Sequence, residues 1–346
     1  MRRILLVTTD AERIQRVYEE GGHPRVDFLE LARALDAKIL SYADLERSVP
    51  PSVRWVRRLL GRDAALAYYG SLHSADTYFT TAESAGMPLA FFLRISRRKA
   101  AHVMIGHKIS AGKKRWIFKL FGLRKAVDGL IAYTSEQTRF AREQLGFEPH
   151  ALHRIQFHCD HHFFQPDVSD SPMRDGIIAV GRELRDYPTL IEALRGSPVS
   201  ATIVGSSPWS KRRDLLEGVD IPPNVRLRSG LSYDELRRLY ASSALAVVPL
   251  QDVDSPAGVT SIFEALSMET PVIVTRTRGI EDSITDCPGV LTVPPGDPAA
   301  LFDAIDFALI DADRLRRLGR EGRASIDAGR SLDHFVETVR DIVCNV

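Results

Sequence analysis

The sequence predicts an α/β protein with two domains, each built around a parallel sheet. Its 346 residues exceed the ordinary size of one domain and suit two. Short apolar runs alternate with helical patterns from one end of the chain to the other, which is typical of successive βαβ units. A polar, proline-bearing stretch without periodicity, residues 165–175, interrupts this alternation and marks the junction.

The individual elements follow from the same patterns. Strands are predicted at residues 4–8, 77–80, 103–105, 130–133, 177–180, 201–204, 225–227, 245–249, 272–275 and 290–293. One helix shows an apolar stripe made by Phe28, Leu29, Leu31, Ala32 and Leu35. Other helix starts are marked by capping boxes or by an N-cap before proline: Thr134 with Gln137, Ser232 with Glu235, and Asp297 with Pro298.

We place a Rossmann-like domain at residues 1–165 and a second at residues 166–331. The last helix, within residues 332–346, is expected to join the first domain. The three cysteines are far apart and form no CxxC pair, so neither a disulfide framework nor a zinc site is indicated. The apolar runs are much shorter than the roughly 20 residues that cross a bilayer, and no cleavable signal is visible. We therefore expect a cytoplasmic protein.

Two arginines follow the predicted strand at residues 177–180. Arg182 comes directly after a glycine, and Arg185 precedes a helix that starts near Pro188. Ligands of open α/β sheets bind at the carboxyl ends of the strands. A guanidinium group there suits a diphosphate, although two solvated loop arginines would give the same pattern.

A second strand leads through Gly258 into a helix that starts near Val259. The free N–H groups and the dipole of a helix N-terminus favour an anion. Thr260 and Glu264 are four residues apart and share one face of this helix. Glu264 could accept hydrogen bonds from a ribose diol, or it could be an ordinary solvated acid.

These segments together resemble the retaining glycosyltransferases of family 4, which have the GT-B fold. The resemblance covers nearly the whole chain and is carried by residues 180–193, 203–205, 225–230, 239–249, 258–266 and 271–273. Gly21 and Gly22 match the family's loop after the first strand. Asp160, Phe164 and Pro166 match its domain junction. The implied fold has two Rossmann-like domains facing across a cleft.

The resemblance also implies roles for individual residues. Arg182 and Arg185 would clamp the donor diphosphate, and His107 would lie at the reaction centre. The remaining donor-binding positions are Gly21, Gly22, Gly205, Arg228, Leu231, Gly258, Val259, Thr260 and Glu264. The implied reaction moves a sugar from a nucleotide-diphosphate sugar to an unknown acceptor hydroxyl, with retention and without metal or another cofactor.

The sequence departs from the family pattern at two places. Pro256 stands where the first of two paired glutamates is expected, eight residues before Glu264; Asp254 is a nearby carboxylate out of register. His158 replaces a glycine and begins a cluster, residues 158–162, whose spacing matches no standard metal site. Pro256 motivates a second hypothesis, a catalytically silent nucleotide-sugar-binding or scaffold protein. Another GT-B chemistry, phosphorolysis or epimerisation, is a third.

The charge is concentrated in one part of the first domain. Residues 51–125 contain 15 lysines or arginines and three acids, a net charge of +12 within a chain whose total is +1. Basic, aromatic and aliphatic residues are mixed there. One hypothesis is peripheral docking of residues 54–125 on an anionic membrane surface, at the inner face of the membrane. The alternative is ordinary helices with a solvated basic face. Nucleic acid is disfavoured because no reading motif accompanies the charge.

Overall fold

The computed structural model describes residues 1–110, 112–166, 174–205 and 219–346. Most of the predicted junction, residues 167–173, lies outside the described residues. The chain divides into two compact units. The first unit comprises Met1–Gly21, Arg25–Gln156 and Asp333–Val346. The second unit comprises Gly22–Pro24 and Phe157–Leu332.

The first unit is a six-stranded parallel sheet covered by helices. Its strands are β1 (Arg3–Val7), β2 (Ala37–Ser41), β3 (Thr77–Thr80), β4 (Ala101–Ile105), β5 (Gly129–Ala132) and β6 (Leu152–Arg154), in the order β2-β1-β3-β4-β5-β6. Its helices are α1 (Ala11–Glu19), α2 (Asp27–Leu35), α3 (Tyr42–Leu45), α4 (Pro51–Leu60), α5 (Arg62–Leu72), α6 (Glu83–Ile95), α7 (Gly112–Leu120) and α8 (Ser135–Leu145), with 3₁₀ turns at Leu123–Ala126 and Pro149–Ala151.

The second unit repeats the architecture. Its strands are β7 (Ile177–Val180), β8 (Ala201–Val204), β9 (Val225–Arg228), β10 (Leu245–Val248), β11 (Val272–Thr275) and β12 (Val290–Val293), in the order β12-β11-β10-β7-β8-β9. Its helices are α9 (Tyr187–Ala193), α10 (Tyr233–Ser242), α11 (Val259–Ser267), α12 (Glu281–Ile284), α13 (Pro298–Ile310) and α14 (Ala312–Gly329). Two parallel six-stranded α/β sheets confirm the predicted fold class.

The last helix of the chain, α15 (Leu332–Cys344), returns to the first unit. Asp333 at its start accepts two hydrogen bonds from the guanidinium of Arg25, at 2.6 and 3.3 Å. Near its end, Arg3 lies 3.5 Å from the sulfur of Cys344. These contacts attach α15 to the segment before α2 and to β1.

The local signals at the helix starts are also confirmed. Thr134 and Gln137 form a reciprocal capping box, and so do Ser232 and Glu235. The side chain of Asp297 accepts from the N–H of Ala300 at the start of α13. The five apolar residues of the predicted stripe in α2 are all buried.

The sequence patterns did not single out the two edge strands of the first sheet or the helix after β1. The strands β2 and β6 lie at the two edges of the first sheet and are only partly buried, so they carry no continuous apolar run. The helix α1 buries only Ala11; Ile14 and Tyr18 share its apolar face and are half-buried. It separates β1 from Gly21. The glycine pair therefore follows a helix, whereas in the family pattern it follows the first strand.

Candidate functional site

The second sheet has a topological switch point between β7 and β10. The chain runs from β7 outward through β8 and β9, then returns to β10 on the other side of β7. In such sheets the connections that leave two neighbouring strands diverge, which opens a crevice at the carboxyl ends. The loop of Arg182 leaves β7 and the loop of Gly258 leaves β10. Parallel pairing of β7 with β8 and β10 therefore brings these two predicted segments to the same edge.

The loop after β7 contains a glycine that no other residue could replace easily. Gly181 has a φ of +118°, and a Cβ built there would lie 2.2 Å from Nη2 of Arg185. Its carbonyl accepts a hydrogen bond from the hydroxyl of Tyr187. Arg182, the next residue, is half-buried at the carboxyl edge. The tight turn thus holds Arg182 at the end of β7 and leaves room for Arg185 behind it.

Arg185 has a different environment from the one expected of a diphosphate clamp. Its side chain is only 5% exposed. The guanidinium donates from Nε to the carbonyl of Val180 at 3.0 Å, from Nη1 to the carbonyl of Glu183 at 2.9 Å, and from Nη2 to Oγ of Ser261 at 3.1 Å. Burial lowers the pKa of Arg185 from its ordinary value. In this structure Arg185 connects the loop after β7 to the first turn of α11.

The N-terminus of α11 is the second half of this edge. Gly258 precedes the helix with a φ of +82°, and a Cβ there would lie 2.8 Å from Cγ1 of Val248. No side chain among the described residues caps this helix end. Val259 is buried, whereas Thr260 is exposed. The first turn therefore presents uncapped backbone and a hydroxyl at the switch point, which is the chemistry that binds phosphate oxygens.

Glu264 is not a solvated acid. It lies one turn further along α11, is 9% exposed, and its Oε2 accepts from the hydroxyl of Tyr240 at 3.2 Å. Burial raises the pKa of Glu264 to about 7, against the opposing effects of the Tyr240 hydrogen bond and the charge of Arg185. Thr260 and Glu264 share a helix face, but only Thr260 lies at the surface. The carboxylate lies below it among polar side chains.

Three further predicted positions lie along the same edge. Gly205 directly follows β8, and its N–H donates to the carbonyl of Arg228 at 3.2 Å. Arg228 ends β9 and lies 3.6 Å from Glu235, with both side chains exposed. Leu231 is half-buried against the core. The residues that follow Gly205, 206–218, lie outside the described residues.

The loop between β10 and α11 holds the departure from the family pattern. Pro256 is half-buried, and Asp254 pairs with Arg278 at 2.9 Å while both side chains stay exposed. Gly279 lies against this loop so closely that a Cβ on it would be 2.1 Å from the carbonyl oxygen of Ser255. Gly279 therefore packs directly against the loop, and the nearby carboxylate of Asp254 has a cationic partner.

The remaining predicted residues of the second unit lie elsewhere. Gly22 has a φ of +71°, and a Cβ there would lie 3.0 Å from Oδ2 of Asp234. Gly21, with a φ of +83°, belongs to the first unit. His158 precedes Cys159, which is buried and pairs with Ser331 through an isolated bridge. Burial raises the pKa of the Cys159 thiol well above its ordinary value, so this thiol is no nucleophile.

In the first unit, His107 is exposed in the loop after β4. Its Nε2 lies 3.0 Å from the carbonyl of Thr81. A carbonyl only accepts, so Nε2 carries a proton in this contact. The ring stacks on Tyr133 at 5.3 Å between centroids. Gln137 donates to the carbonyl of His107 at 2.8 Å.

Glu83 fixes the backbone of the same loop. This buried carboxylate accepts from the N–H of His107 at 2.8 Å, from the N–H of Lys108 at 3.1 Å, and from Nζ of Lys114 at 2.5 Å. Burial by itself would raise the pKa of Glu83. The hydrogen bond and charge of Lys114 outweigh that effect and lower it. The carboxylate is therefore held in its charged form below an exposed histidine.

Sequence reasoning missed Glu83, Tyr240 and Ser261, which position the predicted residues. A signal existed for Ser261 and Glu83. Ser261 immediately follows Thr260, and Glu83 follows β3 in the sheet position next to the loop of His107. Tyr240 lies on α10, and no local pattern links it to Glu264.

Comparison with known proteins decides the family. Residues 172–325 match the family model described as glycosyl transferases group 1. The second unit belongs to the glycosyl transferases group 1 family. One curated relative is 2-deoxystreptamine N-acetyl-D-glucosaminyltransferase of Streptomyces fradiae, which is 28% identical over 46% of this chain and 40% of its own length. Another is MMP alpha-(1->4)-mannosyltransferase of Mycolicibacterium hassiacum, which is 26% identical over 58% of this chain and 49% of its own length. The match spans less than half the length of each.

Solved structures share the fold of this chain over its whole length, beyond the residues that match the glycosyl transferases group 1 model. The sucrose-phosphate synthase of Thermosynechococcus elongatus has a TM-score of 0.73 and 17% identity, covering 99% of this chain and 98% of its own. The Anabaena protein HepE, solved in complex with UDP-glucose, has a TM-score of 0.73 and 15% identity, with both chains fully covered. The fold is GT-B. The family match and both curated relatives agree on one class of activity, glycosyl transfer.

Proposed function

We propose that this protein transfers a sugar from a nucleoside-diphosphate sugar to an acceptor hydroxyl, with retention of configuration and without a metal. The observation that carries the proposal is the switch point of the second sheet. There the uncapped N-terminus of α11 follows the carboxyl end of β10, and Arg182 follows that of the neighbouring strand β7. Helix N–H groups and a guanidinium are suited to a diphosphate.

In this proposal residues 166–331 bind the donor and residues 1–165 bind the acceptor. The first turn of α11, with Thr260, holds the phosphates, and Arg182 supplies the positive charge. The edge residues Gly205, Arg228 and Leu231 contact the nucleoside. Glu264 is the ribose partner. HepE, solved with UDP-glucose, has the same fold, which supports a uridine nucleotide as the first donor to try.

In the proposed reaction the bond between the anomeric carbon and the donor phosphate breaks as the acceptor oxygen bonds to the same face of that carbon. The departing phosphate oxygen takes the acceptor's proton, so no side-chain base is required. Negative charge builds on the diphosphate, and Arg182 with the helix dipole stabilises it. The family resemblance assigns His107 to the reaction centre, where its ring would contact a sugar hydroxyl.

The experiment is a transfer assay with UDP-, GDP- and ADP-sugars, followed by mass spectrometry for sugar transfer and for donor hydrolysis. The anomeric configuration of the product, read by NMR, tests retention, and activity in excess chelator tests metal independence. Arg182→Ala should lower turnover by at least about a hundredfold, as loss of one transition-state charge contact does. An inverted product, or activity that requires a divalent ion, contradicts the proposed mechanism.

A second function is favoured by one observation. Pro256 replaces an acid of the family pattern, and the neighbouring Asp254 is paired with Arg278. A protein that binds the donor without turning it over would show nucleotide binding and neither transfer nor hydrolysis. The substitution Pro256→Glu, with Pro256→Ala as its control, separates the cases. Only Pro256→Glu should create or raise hydrolysis, and only if the missing carboxylate is what limits turnover.

A further inference from the structure

Two of the three tryptophans of the chain lie on the surface of the first unit. Trp55 is 64% exposed on α4, and Trp116 is 67% exposed on α7. The third, Trp209, lies outside the described residues. Tryptophan has a large apolar surface and is highly buried on average. Two such side chains in water indicate a partner that covers them.

Each exposed tryptophan forms a pair with a leucine one helical turn later. Leu59 follows Trp55 and is 57% exposed; Leu120 follows Trp116 and is 77% exposed. Each of the two helices packs against the core through a different side. Val53 and Val56 of α4 lie in the core, and so does Phe118 of α7. Both helices therefore carry a second apolar face that points outward.

The two outward faces lie on one layer of helices. The connections that contain α5, α6 and α7 all advance across the sheet in the same direction, from β2 to β3, β4 and β5. Since such connections are right-handed, they cover one face of the sheet. Ring contacts link the layer: Tyr68 to Phe92 at 5.0 Å and Phe91 to Phe121 at 5.2 Å. The helix α4 packs on α5 in the same cluster.

Exposed cations surround these apolar side chains. Arg54 and Arg58 flank Trp55 and Leu59 on α4, and Lys119 lies beside Leu120 on α7. Within the described part of the chain, seven exposed basic residues of this layer form neither an ion pair nor a side-chain hydrogen bond: Arg54, Arg58, Arg94, Arg97, Lys99, Lys119 and Lys125. Ile95, 60% exposed, lies among them at the end of α6. Apolar anchors and unpaired positive charge thus occur together.

The acids of this segment do not neutralise that charge. Asp63 is bonded to the hydroxyl of Tyr42, and Asp76 accepts from the N–H of Arg2 at 2.6 Å. Glu83 is buried with Lys114. Glu46, from the preceding helix end, pairs with Arg57 and Arg62, two arginines that are not among the seven. The positive potential of the layer is therefore left for an external partner.

We propose that this surface, the basic apolar face, docks on the surface of an anionic phospholipid bilayer. It consists of the exposed apolar residues Trp55, Leu59, Ile95, Trp116 and Leu120 and the seven cations. Tryptophan and leucine would enter the headgroup boundary while arginine and lysine contact lipid phosphates. No helix in the described part of the chain is long and apolar enough to cross a membrane, so the contact is peripheral.

Charge favours the bilayer over the other candidate occupants. A second copy in a two-fold contact would bring the same patch against itself, and unpaired cations would face cations. A nucleic acid would satisfy the charge but would leave the aliphatic side chains of Leu59, Ile95 and Leu120 uncovered. The proposal does not rest on the proposed donor site, because every residue of the face belongs to the first unit.

The test is sedimentation of the full chain with phosphatidylcholine vesicles that contain or lack phosphatidylglycerol, at low and at high salt. We expect binding to the anionic vesicles at low salt and at least a tenfold weaker affinity at high salt. Arg54→Glu with Arg58→Glu should weaken binding by at least about tenfold, given the contribution of each arginine near a charged surface. Trp55→Ala with Trp116→Ala should do the same through lost insertion.

Matched controls come from the second unit. Phe307 and Ile310 on α13 are 60% and 76% exposed, so Phe307→Ala with Ile310→Ala removes comparable apolar area. Arg317→Glu with Arg320→Glu on α14 makes the same charge change at exposed positions. Both controls should bind vesicles like the parent. All variants should keep the parent's circular dichroism and unfolding temperature, because the substituted side chains are at the surface.

Brominated lipids give a second readout that needs no variant to lose binding. Tryptophan fluorescence should be quenched on anionic vesicles, and the quenched fraction should fall with Trp55→Phe and again with Trp116→Phe. The proposal is overturned if the parent ignores anionic vesicles at low salt, or if the control variants lose binding as much as the test variants. It is also overturned if the face mediates dimerisation or RNA binding while vesicles fail to compete.

Discussion

The hydroxyl of Tyr240 lies 3.2 Å from Oε2 of Glu264, and both side chains are buried. This hydrogen-bonded pair places polar groups within the core of the second unit, at the second turn of α11. Arg185 is the nearby positive charge, and it lowers the pKa that burial raises. A carboxylate held near its titration point in this way responds to small changes in its surroundings.

The first prediction concerns the pH dependence of stability. The pKa of Glu264 is raised to about 7 in the folded protein. A raised carboxyl pKa means that the folded state holds the proton more tightly than the unfolded chain, so the stabilisation is present below the unfolded pKa and is lost as pH rises through about 7. Glu264→Gln does not titrate. Relative to this variant, the parent should lose stability between about pH 5 and 7, by at most about 1.4 kcal/mol per pH unit.

Urea unfolding at a series of pH values measures this difference. Glu321→Gln is the control, because Glu321 is an exposed acid on α14 of the same unit; its curve should follow that of the parent. Parallel curves for Glu264→Gln and the parent would show that Glu264 has no raised pKa.

The second prediction concerns Arg185 as a structural link. Arg185→Met removes three hydrogen bonds: the carbonyl of Glu183 loses this donor, and the carbonyl of Val180 keeps only the longer side-chain bond, 3.3 Å, from Oγ of Ser261. Loss of stability of about 2–5 kcal/mol is expected, since unsatisfied buried groups cost about 1–3 kcal/mol each. Arg185→Lys keeps the positive charge without the planar fork of the guanidinium, and should recover only part of the lost stability. Ser261→Ala removes the acceptor of Arg185 and a donor to Val180, and should cost about 1–2 kcal/mol. If Arg185→Met unfolds at the parent's denaturant midpoint, the linking role is wrong.

The third prediction concerns the turn before α11. Gly258→Ala must adopt a φ of +82° and place a Cβ 2.8 Å from Val248 and 3.2 Å from Leu250. We expect about 1–3 kcal/mol of lost stability and a displaced helix end. Gly329→Ala is the control, because a Cβ at Gly329 meets nothing within 4 Å. Denaturant unfolding reports the stability, and a parent-like midpoint for Gly258→Ala would contradict the crowding.

The fourth prediction concerns Glu83 below His107. Glu83→Gln loses the charge that holds Lys114 and one of the two oxygens that accept from the loop. The loop should loosen, so turnover falls while donor binding in the second unit is unchanged. Because the pKa of Glu83 is lowered, the parent's stabilisation is present above the unfolded pKa and is lost as acid is added through the folded pKa. Glu83→Gln should lack that acid-dependent loss.

Lys114→Met is the matched variant for this site. It removes the cation but leaves both backbone hydrogen bonds of Glu83, so its effect on turnover should be smaller. Separate measurement of donor affinity and turnover distinguishes positioning of His107 from general unfolding. A Glu83→Gln variant with the parent's turnover would show that the loop does not need this anchor.

Much of the fold could be predicted from the sequence because its strands and helix starts carry local signals. The strands β7, β8 and β11 are short apolar runs whose residues are buried or nearly so, and their predicted bounds are confirmed. The capping boxes at Thr134 and Ser232 are likewise local. The edge strands β2 and β6 were missed because half-buried strands give no such run.

The environment of the site was less accessible. A loop arginine and a helix glutamate are ordinarily solvated, so nothing local predicts that Arg185 and Glu264 are buried. Their partners are distant in sequence: Ser261 lies 76 residues after Arg185, and Tyr240 lies 24 residues before Glu264. Only the strand order, with β10 beside β7, brings these groups together. The roles of the predicted site residues remain predictions.

The central claim is that the carboxyl edge of the second sheet binds a nucleoside diphosphate, and isothermal titration with UDP, GDP and ADP tests it most directly. We predict saturable binding of one nucleotide, weakened at least about tenfold by Arg182→Ala and by Glu264→Ala and unchanged in Glu321→Gln. Absence of heat with all three nucleotides, or equal affinity in the parent and both site variants, would contradict the account.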